Sequence, residues 1–309
     1  MKRIPIWIDC DTGVDDALAL LVAQRLEALE ILGVSTVSGN VHLNVSTDNT
    51  LKVLQLAGAN CPVYRGAEKP LFRDYVDASE FHGPDGLGGA AIAPAKRIPE
   101  ELPMWDALYQ TAKAQQGALT VVTIGPMTNL ATALEKYPDL PDYIKQVVFM
   151  GGATVGGNCT AYAEFNIYAD PEAAQLVCKS GIPLVMCPLD VTHQAYLTEA
   201  DLAELAAAGT PVTGFIYESS AHLLSKNLEA GLPGIAQHDV CPLLYLAYPE
   251  IFGGERSGVR VEICDTVTLG RTVTDLNGEE VFEKKNALVL LHLDRAAFVR
   301  RVKEALLSY

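Results

Sequence analysis

The stretch 6–21, IWIDCDTGVDDALALL, constrains this chain more than any other. Three apolar residues, Ile6, Trp7 and Ile8, run into four aspartates, Asp9, Asp11, Asp15 and Asp16, and apolar residues at helical spacing follow. That order reads as a buried strand, an acidic turn and a helix. Aspartate is a poor residue inside strands and helices and suits caps and turns, so carboxylates crowded at a strand end need a partner. A hard cation bound by oxygen ligands would be one.

Strand and helix patterns then alternate. The spacing predicts a helix over 15–30, a strand over 31–37, a helix over 44–58 and a short strand at 62–64. Residues 73–103 show no sustained period and carry FHGPDGLGG at 81–89, and long glycine-rich loops in compact domains are more often functional than not. A helix over 104–116, a strand over 118–124 and a helix opened by Gly125-Pro126 come next, then a strand over 146–150. Asp170 before Pro171 reads as a helix cap, 183–187 as a strand, and 198–231 as helical. A helix follows Gln237-His238-Asp239, 258–283 alternates like antiparallel strands, and 286–293 with 295–307 gives a last strand and helix. The fold class expected is α/β, a Rossmann-like, mostly parallel sheet with helices on both faces, in one domain spanning 1–309. Ligands of such sheets sit outside the carboxyl ends of the strands.

With 23 Lys+Arg against 38 Asp+Glu, a formal charge of -15, the chain is ill suited to nucleic acid or an anionic membrane. The apolar run at the N-terminus stops at Asp9, too early for a signal-peptide core or a membrane span. Seven scattered cysteines without a CxxC pair read as reduced thiols, which points to the cytoplasm and away from zinc.

Seven blocks, DCDTGVDDALAL, FHGPDGLGG, TIGPMTNLATAL, VVFMGG, AEFNIYADPEAA, PLDVTHQAYLT and QHDVCPLLYLA, together resemble the nucleoside hydrolases, in family order from Ile6 to about Tyr248. The resemblance implies calcium-dependent cleavage of the N-glycosidic bond of ribonucleosides to ribose and free base, of a broad inosine-uridine or pyrimidine-preferring type. It implies homodimers or homotetramers. Carried over by position, the calcium ligands would be the carboxylates of Asp11, Asp16 and Asp239 and the carbonyl of Ile124. An all-oxygen set suits a hard ion, and calcium leaves positions for water and two ribose hydroxyls.

Asp11 would also be the base that deprotonates a metal-bound water. By resemblance, Asp15 and Asn40 would hold the 2'-hydroxyl side of the ribose, Asn166 the 3'-hydroxyl, and Asn158 and Glu164 the 5'-hydroxyl, with Met150 against the sugar. His238 would be the general acid toward the leaving base, with His82 in the second such position. Asp9 would support the ligands, and His193 would be scaffold. Tyr217, His222 and Lys226 lie where base contacts vary and are left unassigned; Gly83, Gly86, Gly88 and Gly89 serve backbone turns, and His42 and His292 are structural.

Two other readings fit these residues less well. DCDTG begins like the DxDx(T/V) motif of haloacid-dehalogenase-like phosphotransferases, but position 13 is glycine and no GDxxxD follows. A non-catalytic nucleoside-binding protein on the same fold would need neither the base Asp11 nor the acid His238.

Overall fold

The computed structural model describes residues 3–309. Strand β1 (Ile4–Cys10) shows why the sheet is covered on both sides: Ile6, Ile8 and Cys10 enter one apolar cluster, Trp7 enters the other, and all four are fully buried. Strands buried on both faces belong to parallel sheets under helical crossovers. The chain continues through α1 (Val14–Ala23), β2 (Leu29–Thr36), α2 (Leu43–Leu56), β3 (Val63–Arg65), the short α3 (Ser79–His82) and α4 (Met104–Gln115). Next come β4 (Leu119–Thr123), α5 (Thr128–Lys136), β5 (Ile144–Met150), α6 (Phe165–Ala169), α7 (Pro171–Lys179) and β6 (Leu184–Cys187). The last third holds α8 (Leu189–Thr192), β7 (Tyr196–Leu197), α9 (Glu199–Ala207), α10 (Pro211–Glu229), β8 (Ile235–Ala236) and α11 (Val240–Ala247). It closes with β9 (Phe252–Ser257), β10 (Val259–Val261), β11 (Thr272–Thr274), β12 (Ala287–Leu293) and α12 (Arg295–Leu307).

The main sheet has eight strands in the order β3-β2-β1-β4-β5-β6-β12-β9, parallel throughout except that β9 runs against β12. The order reverses direction between β1 and β4, the switch point where doubly wound sheets hold their ligands. Register makes that point specific: Asp9 pairs with Thr123, and the Ile124 N–H donates to the Asp9 carbonyl at 2.8 Å, so Asp11 and Ile124 leave the sheet side by side. No helix among the described residues is long and apolar enough to cross a membrane.

Three expected elements differ. The helix over 15–30 ends at Ala23, because the chain must turn through Gln24–Ala28 for Leu29 to pair with Ile4. The helical stretch 198–231 is two helices: Gly209, at φ +67°, turns the chain, the Thr210 hydroxyl accepts the Thr213 N–H, and Pro211 opens α10. In the tail, only the short β10–β11 pair forms within 258–283, while β9 takes a sheet edge that the sequence pattern left unassigned.

One polar knot ties α9 to α12. Asp201 accepts the Thr198 N–H at 2.9 Å and lies 2.7 Å from Lys303 Nζ and 3.2 Å from Arg295 Nη2. Burial opposes its charge, but these partners outweigh burial and hold the carboxyl at about 2. A folded value below the ordinary one of about 3.9 gives stability that is present above that value and lost as pH falls toward 2. Asp201→Asn is therefore expected to melt a few degrees below the parent at pH 7, with the gap closing as pH is lowered from 5 toward 2 in a thermal-melt series.

Candidate active site

Asp11 leaves β1 at the switch point, and the space for its carboxylate is made by two glycines. A Cβ on Gly39 would overlap the carboxylate, and one on Gly125 would sit 2.6 Å from Oδ1. Oδ2 accepts the Asn40 N–H at 2.6 Å; Oδ1 is buried without a hydrogen-bond partner. Asp16, in the first turn of α1, accepts the N–H groups of Gly13 at 2.9 Å and Asp11 at 3.2 Å, and the Asn40 side-chain amide at 3.0 Å. Asp239 arrives from the far end of the sequence at the start of α11, which packs against α1. Asp15, Asp16 and Asp239 place carboxylate oxygens within 4.8 Å of one another, and Asp11 touches Asp16.

Four carboxylates in so little space strain one another. Burial first, and then the neighbouring charges, push Asp11 and Asp239 well above the ordinary carboxylate range and Asp16 to about 7. Without a counter-charge they cannot all be ionised at neutral pH. The orphaned Asp11 oxygen, the crowded carboxylates and the adjoining Ile124–Gly125 peptide form an all-oxygen donor set that fits a hard divalent cation. The compact trio includes Asp15, which the sequence reading gave to the sugar, while Asp11 joins the group through Asp16.

Asp9 faces elsewhere. Its Oδ1 accepts the Ser35 hydroxyl and, at 2.7 Å, the Asn129 amide, whose own Oδ1 accepts the Ala67 N–H at 2.7 Å. It braces the ends of β1 and β2 beneath the aspartate turn.

The neighbouring strand ends supply the remaining residues. Met150 closes β5, and Asn166 donates one amide to the Ile124 carbonyl at 3.0 Å and to the Met150 carbonyl and Sδ at 3.3 Å, joining the ends of β4 and β5. Glu164 caps α6 and accepts the N–H groups of Gly152 and Asn166 at 2.9 Å and of Ile167 at 3.2 Å. Burial still raises its carboxyl to about 7. Asn158 is exposed, and its Oδ1 accepts the Phe165 N–H at 2.9 Å, so its carboxamide is spent partly on holding the loop.

Two imidazoles approach the acids. His82, with its side chain 12% exposed, accepts the Val14 N–H on Nδ1 at 3.1 Å and lies 3.9 Å from Asp15. His238 holds Thr192 Oγ1 at 2.7 Å on Nδ1, with the His193 ring 5.7 Å away. Burial lowers both histidines, His238 to about 4, so both rings are neutral at pH 7.

Sequence reading missed Thr192, the Val14 N–H and the close approach of His193. Thr192 and His193 share a signal, their place within the DVTHQ block; the Val14 N–H has none. Tyr217, His222 and Lys226 all lie exposed on α10, and Lys226 donates to the Glu80 carbonyl at 3.1 Å, bringing that helix against the glycine-rich loop.

The model of the inosine-uridine preferring nucleoside hydrolase family matches residues 6–300. The chain belongs to the nucleoside hydrolase family. It is similar to the pyrimidine-specific ribonucleoside hydrolase RihA of Shewanella woodyi, at 37% identity over 99% of this chain and 98% of that one. Among solved structures it is similar to a plant nucleoside hydrolase, PpNRh1, with a TM-score of 0.94 and 30% identity over 100% of both chains. It is also similar to a purine-preferring ribonucleoside hydrolase from Gardnerella vaginalis, with a TM-score of 0.92 and 29% identity over 98% of both. This nucleoside hydrolase is an enzyme of the ribonucleoside hydrolase class, built on the mostly parallel sheet that the family shares.

Proposed function

We propose that this ribonucleoside hydrolase works with calcium and prefers pyrimidine ribonucleosides. The observation that carries the metal is the buried carboxylate group with its orphaned Asp11 oxygen. Asp11, Asp16, Asp239 and the Ile124 carbonyl would hold the ion, with Asp15 beside them. When bound, calcium would supply a held, acidified water and an anchor for two ribose hydroxyls.

The chain's own groups do the rest. Asp11 takes the proton from the attacking water. Asp15, Asn40 and Asn166 hold the ribose hydroxyls nearest the acids, Glu164 and Asn158 take the 5'-hydroxyl end, and Met150 backs the sugar. Their placement suits a sugar that develops oxocarbenium-like charge, since carboxylates line the face it turns inward. His82 and His238 meet the departing base. As a neutral ring whose Nδ1 accepts the Val14 N–H, His82 aids it by donating its Nε2 proton as charge builds on the base, and His238 does the same in the tautomer whose Nδ1 accepts the Thr192 hydroxyl. The pyrimidine preference is supported by His82, whose position resembles one used in pyrimidine-preferring members, and by the likeness to a relative named for pyrimidine ribonucleosides. Ribose release from uridine, cytidine, inosine, adenosine and guanosine tests it; equal or greater turnover of the purines would overturn it.

Metal removal gives a second test. A strong chelator is expected to abolish turnover and calcium to restore it. The carboxylates' raised values also set a sign: stability from such groups is full at low pH and lost as pH rises through the folded values. The melting temperature of chelated protein should therefore fall between pH 5 and 8, through the value of about 7 for Asp16, and calcium should flatten that fall. A profile that calcium leaves unchanged would defeat the assignment.

The single large sheet favours one folding unit for the whole chain, read as one unfolding transition in calorimetry. The seven unpaired cysteines favour a reducing cytoplasm. Assembly as a homodimer or homotetramer is read by light scattering.

A further inference from the structure

We propose that Asn49 is a positioning residue that fixes the His82 imidazole over the aspartate turn. Asn49 lies on α2 and is 2% exposed. Its one side-chain NH2 serves two carbonyls that belong to different parts of the site. It donates to Thr12 O at 3.3 Å, inside the aspartate turn, and to Asp85 O at 2.8 Å, inside the glycine-rich loop. A carboxamide carries two N–H donors, so both carbonyls can be satisfied by one uncharged group.

The loop that Asn49 holds is a small folded unit. Gly86 N–H donates to Gly83 O at 3.0 Å, Gly88 N–H to His82 O at 2.9 Å, and the Asp85 carboxylate accepts the N–H groups of Leu87 and Gly89. Bonded in this way to itself, the loop carries His82 wherever Asp85 goes. Gly86 has φ +75°, and a Cβ there would come 2.8 Å from Asn49 Nδ2, so the loop backbone lies directly on this amide.

Register of the loop decides the state of the ring. The Val14 N–H can only donate, so His82 Nδ1 accepts, and the ring proton resides on Nε2. Asn49 ties Thr12 and Val14 sits two residues further along the same turn, so the tie to Asp85 sets the distance across which Val14 reaches the ring. Nothing in this arrangement brings Asn49 to the substrate. Its action is through His82, and the proposal rests on the reading that His82 meets the departing base.

Asn49→Asp keeps the shape and turns a donor pair into acceptors facing two carbonyls. Asn49→Ala removes both donors without adding charge and is read in the same way should the first variant fold poorly. Long-range 1H–15N spectra of the His82 ring in the full-length, calcium-supplemented protein are expected to show the Nε2–H tautomer in the parent and a mixture in the variants. The kcat on uridine is expected to fall about 10²-fold, the cost of a misplacement near 1 Å, with little change in KM and none on a nitrophenyl riboside. In the His82→Ala background the same substitution should cost nothing more.

An unchanged tautomer, or a loss that persists in the His82→Ala background, would overturn the proposal. If His82→Ala itself leaves uridine turnover intact, the role given to His82 fails, and the ring spectra alone then decide whether Asn49 places it.

Discussion

Asp11→Ala is expected to lower ribose release by about 10⁴-fold or more, the upper range for losing a positioned base, because the same side chain would also be a metal ligand. The variant should nevertheless fold. Burial first, and then the Asp16 charge, push Asp11 well above its ordinary range, so removing it relieves the cost of keeping a carboxyl buried there in the metal-free protein. Melting in chelator is therefore expected at or above the parent's temperature, while the stabilisation that calcium gives the parent shrinks. The pairing of lost turnover with undiminished metal-free stability is what separates a functional carboxylate from a structural one. Ordinary turnover by Asp11→Ala would remove it as the base.

His238→Ala is expected to divide substrates by their leaving groups. Uridine, whose base departs with charge that must be met, should lose roughly 10²- to 10⁴-fold in kcat. A nitrophenyl riboside, whose leaving group needs no proton, should be nearly unaffected. The structure sharpens the origin of the effect. Burial holds His238 at about 4 and Thr192 occupies Nδ1, so at neutral pH the ring offers Nε2 as a neutral partner. The parent's uridine rate should then stay level between pH 6 and 8, where an imidazolium of ordinary value would titrate away. Equal losses on both substrates would contradict the assignment.

Much of this arrangement could be read from the order of residues. Apolar strands ending in aspartate, asparagine or glycine at Asp11, Asn40 and Gly151 all proved to end on one edge of the sheet, because a parallel sheet sends every carboxyl end the same way. Helix α12 matched its expected span to the residue, since Asp294 caps it and its apolar spacing is regular. β9 has no such signature, because Phe252–Ser257 is an edge strand whose glycines and exposed charged residues carry no alternating pattern. The break at Gly209-Thr210-Pro211 is written in its turn, cap and proline, although the spacing on both sides of it reads as helix.

The site divided along the same line. Carboxylates announce themselves by type and crowding, whereas the groups that aim the histidines are ordinary residues made important by tertiary neighbours. Val14 is 68 positions from His82, and Thr192 is 46 from His238. No local pattern links such pairs. Asn158 is likewise recognisable by type, though its carbonyl is bonded to the Phe165 N–H of its own loop.

Gly39 and Gly125 bear on how related sequences are to be judged. Neither lies in the left-handed region, so the backbone there would accept any residue; the restriction is that a methyl group would occupy the volume of the Asp11 carboxylate. A homologue can thus retain every aspartate, asparagine and histidine of the pocket and still be a dead enzyme through one alanine at either glycine. Vacant space beside Asp11 is itself an inherited character, and inventories of polar residues overlook it.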